Sequence, residues 1–422
     1  MNYTKALSTI KDLLKRVEDR RIKYIVYLPK FDSKTHSITM GGTNLSFQGK
    51  ENATSFLNAV DELWRANKVV FEAYTKETFE DELVKFMQNF KNGEECSLEH
   101  LKKFYQTFTS KKTIKFEALY PVYGAEYYKD HPLKIGPYTI YNTNIHREQI
   151  LNKYPFISKN VESEYDKFAE ISNVVISVHV EAGESEKADE KALIRLQQFE
   201  NTIQFIIADY MDRTEQINNY DIGVFNFHET KRTHGLLLSN QLSVSINSLT
   251  NTPDMAPLHE IPINDPDYGY DLLWDMLEKE NLTELENRIM SGITWIGKGL
   301  RDKESTRVLV QYVFALEALL QFQQKDSMVS PSITYKMAEL SAFIIGEEYE
   351  DRSEIEKMVK LVYGKRSAIA HGGSHEVDEL IIYKALWLIR NLIMILVVNE
   401  ELKDSKTIQE VDKWVKKQKY SS

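Results

Sequence analysis

A chain of 422 residues with a formal net charge of −10 is long enough for two or three domains. It is too acidic to coat nucleic acid nonspecifically, so any nucleic-acid contact must be a local basic patch. Hydrophobic content of 42% and charged content of 27% exclude a disordered chain, and the single cysteine, Cys96, excludes a disulfide framework or a cysteine metal cluster.

The opening segment, MNYTKALSTIKDLLKRVEDRR, is amphipathic and charged and lacks the apolar core of a secretory signal, so a cytoplasmic protein is expected. Leu7, Ile10, Leu13, Leu14 and Val17 recur at helical spacing, and a strand is expected over 23–29. Residues 37–47 read as a hairpin turning on Gly41 and Gly42, a Gly pair without the Gly-Lys-Ser/Thr of a phosphate loop. Helical patterns fill 53–74, 77–90 and 98–108.

From Lys112 the apolar period switches to two, and TIKFEALYPVYG, PYTIYN, NVVISVHVEA, YDIGVFNF and GLLLSNQLSVSIN all read as strands. A long helix over about 186–211 interrupts them, with Leu193, Leu196, Phe199, Ile203, Ile206 and Ile207 on one side. His228 and His234, with Glu229 between them, have a loose metal-ligand look. Their spacing is no established metal pattern, and a polar turn is the plainer reading. The run HREQ at His146 to Gln149 reads as the start of a surface helix. Residues 250–266 are Pro-rich and aperiodic, which marks an inter-domain connection.

Beyond it the pattern is all-helical. Asn281 to Glu284 and Ser353 with Glu356 resemble capping boxes, and Ser330 with Pro331 makes a cap and first-turn pair. A last main helix is expected from near Ser374, with an apolar run at 385–398 that reads as buried and is too short to span a bilayer comfortably. A short basic helix over 408–419 carries Lys413, Lys416, Lys417 and Lys419, read as a solvated tail in preference to an RNA contact. The expected fold class is α+β: a mixed α/β recognition or regulatory domain over 1–250, a linker over 251–280, and an all-α up-and-down bundle with its basic helix over 281–422.

One stretch of the bundle has the residue types for chemistry. LVYGKRSAIAHGG, from Leu361 to Gly373, sets a permanent cation, Arg366, five residues before an imidazole, His371. A guanidinium fork matches a phosphate, and an imidazole takes or gives a proton near neutrality, so the pair can hold a phosphodiester and move a proton beside it. Five residues at 100° each turn the two side chains about 140° apart on a continuous helix. The Gly pair implies that the helix ends just after His371, where its dipole favours imidazolium. Glu317, embedded in FALEALL, needs a cation if it is buried, and Arg366 is the natural partner; a solvent-facing Glu317 stays open.

Three features standing together resemble the HEPN superfamily and, within it, the Apea-like HEPN branch. They are the acidic residue in FALEALL, the Tyr-x-x-Arg-Ser run at Tyr363 to Ser367, and Arg366 to His371 closing in His-Gly-Gly, and the match covers about 281–402. In the preceding part only HPLKIGPYTIYN, from His131 to Asn142, is similar to what accompanies such domains. The resemblance implies a metal-independent endoribonuclease, with no cofactor, whose cleft forms where two bundles pair as a homodimer. Arg366 and His371 take the catalytic positions, and Glu317, Tyr363, Lys365 and Ser367 are supporting candidates. Ser367 stands where many members have Asn, Asp or His, which leaves the orientation of His371 open. The implied partners are an RNA substrate and a phage-derived or nucleotide trigger, with no membrane, in a toxin or phage-defence role. The alternative is a catalytically inactive module serving dimerisation, nucleotide sensing or protein interaction, with Arg366 and Glu317 as a buried bridge and His371 as a helix cap.

Overall fold

The structure, a computed structural model, describes residues 1–19, 30–32, 37–39, 45–90, 94–153, 158–216, 220–224, 232–238, 243–249, 254–322, 333–372 and 376–420. The expected strand at 23–29, the turn at Gly41 and Gly42, His228 with Glu229, the side chain of His234 and the Ser330–Pro331 cap lie outside the described residues. The chain is mixed α/β with a helical C-terminal region. Its contacts divide it into two compact units, one of residues 1–118 with 179–193 and the other of 119–178 with 194–422, rather than at 251–280.

The first unit holds α1 (Tyr3–Arg16), a small sheet of β1 (Glu18–Asp19), β2 (Lys30–Asp32), β3 (Ser37–Thr39) and β4 (Leu45–Phe47) in the order β1-β4-β3-β2, then α2 (Gly49–Ala66), α3 (Lys68–Ala73), α4 (Lys76–Gln88) and α5 (Leu98–Thr109). The helix expected over 53–74 breaks at Asn67, whose side chain accepts from the backbone N–H groups of Val69 and Val70 and so starts a new helix. An aromatic core of Phe47, Phe56, Phe79, Phe104, Tyr105 and Phe108 fills this unit. Phe47 stacks on Phe56 at 4.6 Å and Phe79 meets Phe104 edge-on at 5.6 Å, the offsets that ring quadrupoles favour.

Next come β5 (Ile114–Pro121), β6 (Ala125–Glu126), β7 (Leu133–Ile135), β8 (Tyr138–Asn142), α6 (Arg147–Asn152), α7 (Ser158–Ile171), β9 (Val174–Ala182) and α8 (Ser185–Arg213), followed by the hairpin of β10 (Arg232–Leu238) and β11 (Ser243–Leu249). In the second unit β7, β8 and β9 pair antiparallel, with Ile140 opposite both Leu133 and Ile176. His146 starts α6 as expected but is buried, not at the surface, because its Nδ1 accepts the Asn142 backbone N–H at 2.8 Å.

The segment expected to be a bare linker contains β12 (Ala256–Pro257), a 3₁₀ turn at Pro266–Tyr268 and α9 (Tyr270–Glu278), and much of it is core. Tyr270, Leu273, Trp274 and Leu277 recur at helical spacing, so α9 buries one face. Trp274 lies against Phe199 and Tyr138, and its indole N–H donates to the Ile263 carbonyl at 2.7 Å.

The helical region comprises α10 (Glu284–Arg301), α11 (Ser305–Leu320), α12 (Ile333–Ile345), α13 (Tyr349–Ala370), α14 (Glu379–Val398) and α15 (Ile408–Tyr420). Its caps fall elsewhere than expected. Thr283 with Glu286 closes the box at α10, two residues on, because Thr283 takes the extended backbone of a cap while Glu284 is already helical. Glu348 with Asp351 opens α13, which leaves Ser353 inside the helix, and Asp378 opens α14, past Ser374. The Arg288 guanidinium donates to the carbonyls of Ala318 and Gln321 at 3.0 and 2.9 Å, closing the C-terminal end of α11.

Gly297 lets α10 approach α8, since a Cβ there would lie 2.6 Å from the Asn201 Cα. The same contact is sealed by charge. Arg301, at the end of α10, donates to Glu200 at 2.8 Å and to Asn201 at 2.6 Å, with Glu200 fully buried. Arg390 on α14 donates to the Ala208 carbonyl and pairs with Asp212 at 2.6 Å. By length and composition α14 is long and apolar enough to cross a membrane, longer than the run at 385–398, and half of its most apolar window is buried in the fold. α15 is docked, not a solvated tail: Ile408, Val411 and Val415 are buried, and Lys416 and Lys419 pair with Asp412 and Glu339 at 2.9 and 2.7 Å.

The turn joining α10 to α11 makes one pH-dependent prediction. Asp302 receives two hydrogen bonds from the Arg307 fork at 2.9 and 2.8 Å, and this holds its carboxyl near 2, below the ordinary 3.8. A carboxyl depressed in the fold contributes stability above its unfolded pKa and loses it as the pH falls through the folded one. Melting curves of wild type and Asp302→Asn should therefore differ most above about pH 4 and converge toward pH 2. A constant gap across that window would show that the charge on Asp302 does not stabilise the turn.

Candidate functional site

Residues 363–372 close α13. Tyr363 and Arg366, three apart, share the helix face toward α11, whose Phe314 and Glu317 are likewise three apart. The Arg366 guanidinium carbon lies 5.5 Å from the centroid of the Phe314 ring. Its Nη2 is 4.0 Å from Glu317 Oε1, an ion pair but too long for a hydrogen bond. Burial, followed by the nearness of the Glu317 carboxylate, pushes the Tyr363 phenol above its ordinary value.

With its side chain 27% exposed, Arg366 therefore has a ring beneath it and a carboxylate beside it. Among the described residues no group accepts a hydrogen bond from its five N–H donors. Glu317 is 18% exposed, which places it inside the helix contact and not facing solvent at an edge.

α13 stays helical to Ala370. His371 is its cap, with its backbone N–H donating to the Ser367 carbonyl at 3.1 Å, and Gly372 follows at φ 76°, the left-handed turn that favours glycine. The helix thus ends where the Gly pair implied. Because it is continuous between them, Arg366 and His371 point apart: Arg366 faces α11, and His371 is exposed, with no ring partner among the described residues. Within one chain the structure brings Arg366, Glu317 and Tyr363 together and leaves His371 outside that group. Lys365 and Ser367 are half-exposed, and Ser367 enters the local geometry through its carbonyl.

Two aromatic residues at this site were not singled out in the sequence. The Phe314 that carries Arg366 is met edge-on by Trp295 of α10 at 5.1 Å, and Lys298, one turn along, places its ammonium 4.5 Å from the Trp295 ring centroid. The available signal was Trp295 standing off the stripe of Ile289, Ile293 and Ile296, with a lysine three residues on.

Comparison with family profiles, curated proteins and solved structures finds nothing that matches this chain.

Proposed function

We propose that this chain is a HEPN-type endoribonuclease, working as a homodimer of its helical bundles and needing no metal ion. The observation that carries the reading is Arg366: a partly sheltered cation, laid against Phe314, whose N–H donors have no acceptor among the described residues, five positions before an exposed imidazole. A phosphodiester site requires a fixed fork for the phosphoryl oxygens, which Arg366 offers, and a titrating group, which His371 of a second copy would bring to it. The sequence resemblance supports the same assignment.

In the reaction the 2′-OH gives its proton to one copy of His371 as its oxygen bonds to phosphorus. The P–O5′ bond breaks, and the departing O5′ takes a proton from the second copy. The products are a 2′,3′-cyclic phosphate and a 5′-OH. Arg366 stabilises the charge growing on the non-bridging oxygens, and Phe314 with Glu317 fixes the face on which Arg366 lies.

Pairing is needed because one chain points its Arg366 and His371 apart and holds a single His371, whereas two copies related by a two-fold axis can bring both His371 rings and an Arg366 to a common phosphate. The preceding residues are assigned recognition of a phage-derived or nucleotide trigger in a cytoplasmic toxin or defence protein, on the resemblance alone.

Sedimentation and cleavage measured over one concentration series test the pairing. Cleavage per chain should rise with the dimer fraction. Cleavage by a monomer would contradict the reading. A folded dimer that cuts no RNA would instead be the non-catalytic dimerisation or sensing module.

A further inference from the structure

We propose that Trp295, backed by Phe314 and flanked by Lys298, is a nucleobase-stacking subsite that holds single-stranded RNA beside Arg366. The four side chains form a row crossing three helices: Lys298 and Trp295 on α10, Phe314 on α11 and Arg366 on α13. Successive separations in that row are 4.5, 5.1 and 5.5 Å, so cation, ring, ring and cation are in continuous contact. This inference rests on the ribonuclease reading, since Arg366 is taken as the phosphate fork.

The composition of the row is unusual for its place. Trp64, Trp274 and Trp414 each donate their indole N–H, to the Tyr74 carbonyl, the Ile263 carbonyl and the Glu401 carboxylate. The indole N–H groups of Trp295 and Trp387 have no acceptor among the described residues and both rings are only partly covered, but of the two only Trp295 lies against a ring and a cation there. A large aromatic that keeps an unused donor at the surface is suited to a partner with a flat face and polar edges. Lys298 is exposed and makes no hydrogen bond or ion pair among the described residues, only the contact with that ring, so its ammonium can swing from the indole to an incoming phosphate.

Charge decides the occupant. Cations stand at both ends of the row, and the carboxylate beside it, Glu317, is paired with Arg366. On a chain of net charge −10, two cations bracketing two rings make the kind of local patch that binds single-stranded nucleic acid, with bases on the aromatic faces and phosphates on the cations. A base on Trp295 would place its neighbouring phosphate toward Arg366, so the subsite sets which linkage enters the cleft.

The test uses the full chain and a short fluorescein-labelled RNA with 2′-O-methyl riboses, which binds but cannot be cut, read by anisotropy. Trp295→Ala should weaken binding about 10-fold or more and Trp295→Phe much less. Lys298→Glu, a change on an exposed side chain that leaves the fold intact, should also weaken it and lower the salt slope by about 1. On cleavable RNA, Trp295→Ala should raise KM and leave kcat within a few-fold, the signature of lost uniform binding.

If wild type binds the probe through Trp295 and cuts no RNA, the subsite stands and the nuclease reading fails. If RNA is cut and neither the Trp295 nor the Lys298 variant changes Kd or KM, the subsite is wrong and the nuclease stands. Should Trp295→Ala convert a dimer to monomers, the row is a protein interface and the proposal is overturned.

Discussion

Replacing His371 by alanine should reduce RNA cleavage by about 10²–10⁴-fold, the contribution of a positioned general acid or base, while the melting temperature and the dimer fraction stay at wild-type values. The separation is expected because the His371 ring is exposed and has no partner among the described residues, whereas its capping role is played by its backbone. Arg366→Ala should cost about 10²–10³-fold as well, and Arg366→Lys should recover only part of that, since an ammonium keeps the charge and loses the planar fork. In cells, toxicity on expression should vanish with His371→Ala at equal protein levels. Equal cleavage by wild type and a folded His371→Ala protein would falsify the catalytic assignment.

The largest effect on stability is expected at Glu200, far from that chemistry. Its side chain is fully buried and accepts from Arg301, 8% exposed, and from the Val224 backbone N–H. Glu200→Ala removes one partner of a buried ion pair and strands the other, which costs about 3–5 kcal/mol. Glu200→Gln, keeping the shape and an acceptor oxygen, should cost less. The double variant Glu200→Leu with Arg301→Met should regain much of the loss, since an apolar pair strands no charge. Urea unfolding of the three proteins measures this, and a loss under about 1 kcal/mol for Glu200→Ala would mean that water already reaches the pair.

Where the sequence reading succeeded, local chemistry governed the outcome. The end of α13 was legible because a glycine after His371 takes the left-handed turn without strain, and Gly372 does so at φ 76°. The long helix read over 186–211 is α8, since a one-sided apolar stripe of that length has few other uses. Where it failed, partners distant in sequence decided. The stretch read as a linker carries core residues because Trp274 finds Phe199 and Tyr138, a contact that no local pattern announces. The lysines of α15 looked like a solvated tail because Glu339, a partner of Lys419, lies 80 positions away.

The site divided along the same line. Arg366 with Glu317 was readable, because a carboxylate amid apolar residues must find a cation. The aromatic row was not, because Trp295, Phe314 and Arg366 become neighbours only once α10, α11 and α13 pack together. The opposed directions of Arg366 and His371 were also readable, from helix geometry alone, and they are what makes a second copy necessary to the proposed chemistry.

The most direct measurement incubates the wild-type chain in excess EDTA with an RNA, its all-deoxy counterpart, and the same RNA carrying one 2′-deoxyribose at the cut position, with the products' ends identified by mass. The account predicts that RNA alone is cut, leaving a 2′,3′-cyclic phosphate and a 5′-hydroxyl, and that the single missing 2′-OH protects its own linkage. Cleavage that appears only when a divalent metal is restored, or DNA cut as readily as RNA, would contradict it.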